Sequence, residues 1–341
     1  MPVCINLLLK DLAEIAPSTV TRASEKLSPH LIGVRAHPSI FRKLQQLWHI
    51  VRESHRNPIT GGPRQPVLVD AGQLGITFIG HSSFLIQIGG KNILIDPVFS
   101  RYLILLRRQR HPGLRIKDLP PIDAVLLTHA HMDHLNLSSL RKVVRATKRI
   151  SGTAPEVIVP RHVSDLVAKL GFRKITELEW WKGTTLDTSN VTVTMTPCKH
   201  WGARMFNDMH RHYGGYILSD GAHSVYHSGD TAYFQGFREI GRLLKPQVAL
   251  LPIGAYFPDS YRAVHTSPEE ALRAFLDLGT ATTMVPMHYG TFPLGKEPMD
   301  EPLQRLSAAA RKAGVADLVH VLEEGETEIE AVNIPDIAAL V

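Results

Sequence analysis

The chain has little cysteine. Cys4 and Cys198 are the two in 341 residues. Two thiols cannot build a disulfide framework, and their scarcity points to a reducing compartment. No apolar run approaches the roughly 20 residues that cross a bilayer. Val3 to Leu9 is apolar, but no basic segment precedes it and no small-residue cleavage site follows it. No secretory leader is therefore read, and a cytoplasmic location is expected. Low-complexity composition is also missing: Gly 25 and Pro 23 are ordinary numbers for this length. With 44% hydrophobic and 21% charged residues, the chain can bury a core, which excludes a disordered protein. No Gly-x-Ser-x-Gly run occurs, so there is no serine nucleophile elbow.

Histidine, by contrast, is plentiful: 18 residues against 8 Tyr and 4 Trp. Histidine is the commonest metal ligand and a frequent acid–base group. The net charge of +6 favours anionic partners such as phosphates, nucleic acid or a membrane face, without choosing among them.

Along the chain, residues up to about Arg56 read as helical, with apolar Phe41, Leu44, Leu47, Trp48 and Val51 at helical spacing. Asn57 to Pro66 is rich in Pro and Gly and reads as a linker. Residues 1–64 are taken as a helical extension and linker, and 65–341 as the main domain. From Gly75, short β-rich runs broken at Gly80-His81 and Gly89-Gly90 read as a strand–turn–strand meander. Further buried or alternating strands are expected at Asp123–Thr128, Val157–Val159, Val191–Met195, Val248–Pro252, Thr283–Pro286 and Leu318–Leu322. Tyr213–Leu218 and Ser224–His227 read as a hairpin-like pair. Helices are expected at Leu137–Lys148, Arg161–Leu170, Phe237–Leu244 and 298–313, and at Ser267–Leu278. The last starts on a capping box of Ser267, Pro268 and Glu270. Strands then helices, repeated twice, fit a layered α/β sandwich.

The segment that carries chemistry is Thr128-His129-Ala130-His131-Met132-Asp133-His134. It follows a buried strand, where sites are commonly built. His129 and His131, two apart, project together from an extended segment, while Asp133 and His134 turn toward a second point. One metal rarely needs so many donors from one loop, whereas two metals do. Further donors lie just past later strands: His200, Asp230 and His288. Each alone reads equally as a structural residue, but their succession is the signal. Asp96, at the end of a β run, is a candidate to orient a ligand or to form a turn with Pro97. His81, in a Gly-His-Ser-Ser turn, has the same two readings. Cys198 is read as a buried structural thiol rather than a ligand, and His210 and His212, beside Arg211, as a solvated basic turn.

The Thr128–Leu135 run resembles the HxHxDH signature of the metallo-β-lactamase superfamily, and His200, Asp230 and His288 fall in that family's order. The resemblance implies a four-layered αββα sandwich and two metal ions, Zn2+ with Mn2+ or Fe2+ as alternatives. One ion would take His129, His131 and His200; the other would take Asp133, His134 and His288; Asp230 would bridge them. The resemblance covers about 75 to 295. Ile79-Gly80-His81-Ser82-Ser83, Leu94 to Phe99, His200-Trp201, Tyr213 to Tyr216, Gly229-Asp230-Thr231 and Met287 to Phe292 are similar to the N-acyl-phosphatidylethanolamine-hydrolysing phospholipase D branch. The sugar-lactonase-like branch shares several of these runs. His265, ahead of Thr266-Ser267-Pro268, is similar to a histidine at that phospholipase's substrate site, with Trp201 and Tyr289 as further substrate candidates.

Two divalent cations about 3.5–4 Å apart can share a water and lower its pKa to near 7, giving a bridging hydroxide that attacks phosphorus or a carbonyl carbon. Asp133 and Asp230 then belong to the catalytic set, and His265 could donate a proton to the leaving group. The first expectation is a phosphodiesterase acting on a small-molecule or lipid phosphodiester. The alternatives are a lactonase on a sugar-phosphate-like substrate, a nuclease, and a non-catalytic metal-binding protein. No nucleic-acid-binding module is visible, so no nucleic-acid partner is expected. Self-association is compatible with the sequence. Arg101 to Lys117 holds six basic residues, no acid and the apolar run Tyr102 to Leu106. It reads as a solvated loop or as a peripheral contact with anionic lipid.

Overall fold

Alternate residues of the same strands feed different cores, and this builds the layers. In Lys91–Ile95, Ile93 and Ile95 join one buried cluster and Leu94 another. In Val248–Pro252, Val248 and Leu250 face that first cluster, while Ala249 and Leu251 face a third. Strands buried on both faces must be covered on both faces. The result is two sheets packed face to face around the first cluster, with helices on each outer side: a four-layered αββα sandwich.

The computed structural model describes residue 48 and residues 50–205 and 208–331. Strands are numbered in chain order: β1 (Gln73–Gly80), β2 (Ser83–Ile88), β3 (Lys91–Ile95), β4 (Tyr102–Leu103), β5 (Leu106–Arg107), β6 (Ala124–Leu126), β7 (Glu156–Pro160), β8 (Lys174–Leu178), β9 (Gly183–Thr185), β10 (Thr192–Thr196), β11 (Gly215–Ser219), β12 (Ser224–His227), β13 (Val248–Pro252), β14 (Thr283–Met287) and β15 (Thr327–Ala331). The first sheet runs β15-β1-β2-β3-β6-β7-β8 and the second β14-β13-β12-β11-β10-β9; β4 and β5 form a separate hairpin. Each sheet is antiparallel at one side and parallel at the other: β3, β6, β7 and β8 pair in parallel, as do β12, β13 and β14.

Helices α1 (Leu137–Ser151) and α2 (Ser164–Val167) cover the first sheet through Leu140, Val143 and Val167. Helices α3 (Gly236–Leu244), α4 (Pro268–Leu278) and α5 (Glu301–Ala313) cover the second through Phe237, Phe275 and Leu306. The capping box that starts α4 is formed: Ser267 Oγ accepts from Glu270 N, and Glu270 closes back on Ser267 N at 2.9 Å.

Most expected elements are present, with two corrections. The helix expected over Arg161–Leu170 shrinks to α2, because His162 takes a left-handed conformation (φ 64) that breaks the helical path. The strand expected over Leu318–Leu322 is absent: Ala316–Leu318 is a 3-10 turn, and Val319 makes one isolated bridge to Met284. The last strand of the described residues is β15, paired antiparallel to β1. Its Thr-Glu-Ile-Glu-Ala sequence has the period of a strand with little apolar content.

Of the N-terminal extension, residues 50–56 are helical and residues 1–47 lie outside the described residues, with Phe41, Leu44, Leu47 and Cys4 among them. Residues of the expected linker are held against the main domain: Thr60 N donates to Gln109 O at 2.9 Å and Arg64 N to Gly113 O at 2.7 Å. Among the described residues, no helix is long and apolar enough to cross a membrane.

Candidate metal centre

Strand exits from both sheets meet at one edge of the sandwich. The loop after β6 supplies His129, His131, Asp133 and His134. The turns at the ends of β1 and β3 supply His81 and Asp96. From the second sheet, His200 follows β10, Asp230 follows β12, His265 follows β13, and His288 follows β14. The two sheets are tied together here. Tyr216 Oη on β11 donates to Leu127 O at 2.9 Å, and Gly214 N donates to Thr128 O at 3.1 Å.

Backbone strain accompanies the convergence. His81, Asp96 and His288 have positive φ (60, 44 and 61), a conformation disfavoured for side chains of this size and one that gathers at functional sites. Gly229 (φ 62) needs its missing side chain: a Cβ there would lie 2.9 Å from Gly214 O and 3.1 Å from the Thr128 Cβ. Only glycine lets the second sheet approach the Thr128 loop this closely and still turn Asp230 inward.

The side chains form two groups with Asp230 between them. His129, His131 and His200 make one; His81, Asp133, His134 and His288 make the other. Within each, one ligand atom from every residue lies within 4.8 Å of the rest. Asp230 Oδ2 stands 3.0 Å from His288 Nε2, 3.2 Å from His134 Nε2, 3.9 Å from His129 Nε2, 3.9 Å from His200 Nε2 and 4.0 Å from His265 Nδ1. All of these residues are buried.

Hydrogen bonds outside the cluster fix which ring nitrogens face in. Thr128 N and Oγ1 donate to Asp96 Oδ1 (2.8 Å) and Oδ2 (2.6 Å). The Thr128 hydroxyl, its own proton committed to Asp96, accepts from His129 Nδ1 at 2.9 Å. His134 Nδ1 also donates to Asp96 Oδ2, at 2.7 Å. His200 Nδ1 donates to Val264 O at 2.9 Å. In His129 and His200, Nδ1 is thus the protonated nitrogen and Nε2 presents a lone pair inward, while Asp96 turns His134 so that its Nε2 faces the centre. His129 Nε2 and His200 Nε2 then face His131 Nδ1 at 2.8 and 3.2 Å. One proton cannot satisfy three converging imidazole nitrogens; a cation can.

The second group shows the same deficit. Asp133 Oδ1, His134 Nε2, both carboxylate oxygens of Asp230 and both ring nitrogens of His288 are buried without an aligned hydrogen-bond partner. Buried polar atoms are normally paired, so a concentration of unpaired donors of nitrogen and oxygen type fits a divalent cation.

Electrostatics divides the histidines. Burial, reinforced by neighbouring imidazoles, pushes His129 and His131 well below the usual histidine range and holds His200 at about 4. These three stay neutral, as ligands must. For His134 and His288 burial is outweighed by carboxylates, Asp230 foremost; His134 is raised well above the usual range and His288 to about 9, and a cation taking up the same carboxylates would displace those protons. Asp133 and Asp230 are pushed up by burial, but His134 above all outweighs it and keeps both carboxylates ionised.

The other expected residues are placed as follows. Asp96 contacts His134 and Thr128 rather than serving as a turn residue alone. His81 Nε2 lies 3.2 Å from Asp133 Oδ2. His265 is buried, with both ring nitrogens unpartnered and its ring stacked on His288 at 5.3 Å. Trp201 is half-buried, stacked on His200 (4.7 Å) and edge-on to His131 (5.0 Å). Tyr289 packs in the core of the second sheet and stacks on Phe78 at 6.1 Å. Cys198 is buried, and burial raises its thiol, so it is no thiolate. His210 and His212 are exposed, but Arg211 between them is buried and paired with Asp165 and Asp208.

Three contributors were not singled out from the sequence. Thr128 relays Asp96 to His129. Arg204 Nη1 donates to Ala130 O and Leu135 O, both at 2.9 Å, clasping the ligand loop. His227 accepts from Gly229 N at 3.1 Å and donates to Ser82 O at 3.0 Å, holding the turn that carries Asp230. Their partners are backbone atoms or distant in sequence, so only Thr128, adjacent to the histidine run, left a signal. A cavity of about 530 Å³ is lined by Trp180, Met209, His210 and Tyr213, among others, and by none of the cluster residues; its Tyr213 ring is edge-on to His200 at 6.5 Å.

Paired buried histidine–carboxylate groups at strand exits form a candidate metal centre of the kind used in hydrolysis. The chain matches the Beta-lactamase superfamily domain over residues 91–289. It belongs to the metallo-β-lactamase superfamily of metal-dependent hydrolases. It is 34% identical to a UPF0173 metal-dependent hydrolase of Rubrobacter xylanophilus, over 74% of this chain and 94% of that protein. It is 31% identical to the mitochondrial N-acyl-phosphatidylethanolamine-hydrolyzing phospholipase D of Saccharomyces cerevisiae, over 74% of this chain and 55% of that one. Among solved structures, Igni18, a metallo hydrolase from Ignicoccus hospitalis, aligns with a TM-score of 0.56 and 28% identity, covering 76% of this chain and 98% of that one. The match spans 65% of the length of mycobacterial relatives and 55% of the yeast protein.

Proposed function

We propose that this hydrolase is a dinuclear phosphodiesterase acting on a lipid phosphodiester of the N-acyl-phosphatidylethanolamine type. The observation that carries the two-metal part is Asp230 Oδ2, buried without an aligned hydrogen bond and within 4.0 Å of two imidazole nitrogens from each group, with His265 Nδ1 as a fifth neighbour. In this reading His129, His131 and His200 would hold one ion, Asp133, His134 and His288 would hold the other, and Asp230 would serve both. The donor set suits Zn2+, and Mn2+ or Fe2+ accept the same donors. When bound, such a pair acidifies a shared water and neutralises charge that develops on substrate oxygens.

The chain's own residues do the rest. Asp96 fixes the tautomer of His129 and the orientation of His134, and Arg204 holds the loop between them. Asp133 accepts from His81 and keeps its carboxylate ionised at the centre. His265, kept neutral chiefly by burial, presents unpartnered ring nitrogens next to Asp230 and can donate a hydrogen bond to the leaving-group oxygen. Trp201 forms an apolar wall against His200. Tyr289, packed in the core, is assigned no substrate contact. Residues 65–341 form the hydrolase domain of this reading, with 1–64 as its extension, and the protein works in the cytoplasm.

The lipid part rests on similarity to phospholipase D relatives and on the cavity lined by Tyr213, whose ring meets His200. Purified protein assayed against lipid phosphodiesters, soluble phosphodiesters and lactones tests it. Hydrolysis of N-acyl-phosphatidylethanolamine is expected; turnover of lactones with none of phosphodiesters overturns the reading.

A further inference from the structure

The β4–β5 hairpin carries residues that a water-facing turn avoids. Tyr102 pairs with Arg107 and Leu103 with Leu106, leaving a two-residue loop of Ile104 and Leu105. Such loops favour glycine at the first position, because φ there is positive. Here that position is Ile104 at φ 56, a β-branched residue in a conformation that strains it. It is also exposed: Ile104 48%, Leu105 55% and Tyr102 42%. A soluble loop gains nothing from this strain or from its aliphatic exposure.

The root of the hairpin is anchored. Leu103 and Leu106 are buried with Val98, Phe292 and Leu294, and helical residues Ile50 and Val51 pack against them. Phe292 in turn packs edge-on to His81 at 5.5 Å, so the hairpin stands one side chain behind the metal centre. The charge beside the tip is cationic: Arg101 lies over the Tyr102 ring at 5.7 Å. The His55 ring also stacks with Tyr102, at 5.8 Å. On the same helix face, two turns from His55, Trp48 is 64% exposed with Arg52 over its ring at 5.6 Å. Within the basic segment Arg108 is buried, Arg110 pairs with Glu324, Arg115 pairs with Asp118 and Arg107 donates to backbone carbonyls of Ser54 and Asn57, which leaves Arg101 as the exposed arginine beside the aliphatic tip.

We propose that the Ile104–Leu105 tip inserts into the interfacial region of a bilayer bearing anionic headgroups, with Arg101 and Arg52 at headgroup level. Aliphatic tips flanked by cations and interfacial aromatics match such a surface in polarity and sign. The inference rests on the lipid-phosphodiester reading for its purpose, but its test does not.

The test is co-sedimentation of the full chain with vesicles of phosphatidylcholine plus phosphatidylglycerol, against phosphatidylcholine alone. Wild type is expected to bind the anionic vesicles more strongly, and less so as salt rises. The double variant Ile104→Gly, Leu105→Ser suits the turn and removes both aliphatics. It should lose at least about tenfold in vesicle partitioning while keeping its melting temperature and its turnover of a soluble phosphodiester. Arg101→Gln should reduce the preference for anionic vesicles. Equal binding of wild type and the double variant, or no vesicle binding by wild type, overturns the proposal. So does a sedimentation mass that drops in the double variant, which would assign the tip to a second copy of the chain. Vesicle binding with no phosphodiester turnover leaves docking standing and sinks the substrate reading; the reverse result sinks docking alone.

Discussion

The two sheets supply the candidate metal centre in different ways. The first puts four donors, His129, His131, Asp133 and His134, on one loop after β6. The second puts one donor at each of three exits: His200, Asp230 and His288 after β10, β12 and β14, with His265 beside them just ahead of α4. A clustered loop makes a site local and visible in sequence; single donors make it depend on the packing of two sheets. The centre therefore exists only where Tyr216, Gly214 and Gly229 hold the sheets together.

That comparison can be broken most sharply at Asp230, which both groups share. Asp230→Asn removes a charge facing five imidazoles. Several kcal/mol of cation binding and charge stabilisation should go with it, a loss in kcat/KM of about a thousandfold or more, with circular dichroism unchanged. Turnover near wild type would remove Asp230 from its bridging role. Next in size, Leu126→Ala on β6 hollows the core between the sheets without touching a donor. It should cost about 2–5 kcal/mol in denaturant unfolding and leave metal content intact; a full loss of metal would show that the two are not separable. Asp96→Asn weakens the fixed tautomer of His129 and the orientation of His134 but leaves the second sheet's donors as they are. Metal affinity or activity should fall about 10–100-fold, read by competition with a chromophoric chelator. Smallest is Ser267→Ala, which removes the cap of α4 on the second sheet's outer face. It should cost about 1 kcal/mol with no change in metal affinity, and a change there would mean that α4 positions His265.

The contrast also explains what the sequence made legible. The histidine loop stood out because three histidines and an aspartate after an apolar run have no ordinary structural use. His200, Asp230 and His288 were legible only as a series of strand exits, and Asp96 only as one of two equal readings. Thr128, Arg204 and His227 act through backbone atoms or through residues far along the chain, and spacing carries no trace of such contacts. The strands were legible where both faces are buried, as in β6 and β13. β15 escaped because an edge strand can be built from threonine and glutamate, and Arg161–Leu170 misled because His162 turns left-handed inside an otherwise helical pattern. Arg101–Lys117 read as one basic run; folding splits it into buried, ion-paired and exposed members, which no composition shows.

The central claim is a pair of cations held jointly by both sheets, and metal content per chain tests it most directly. Protein purified without chelator and measured by plasma mass spectrometry should carry about two divalent ions per chain, and His200→Ala about one. One ion or fewer in the wild-type protein, after reloading with excess zinc, would contradict the account.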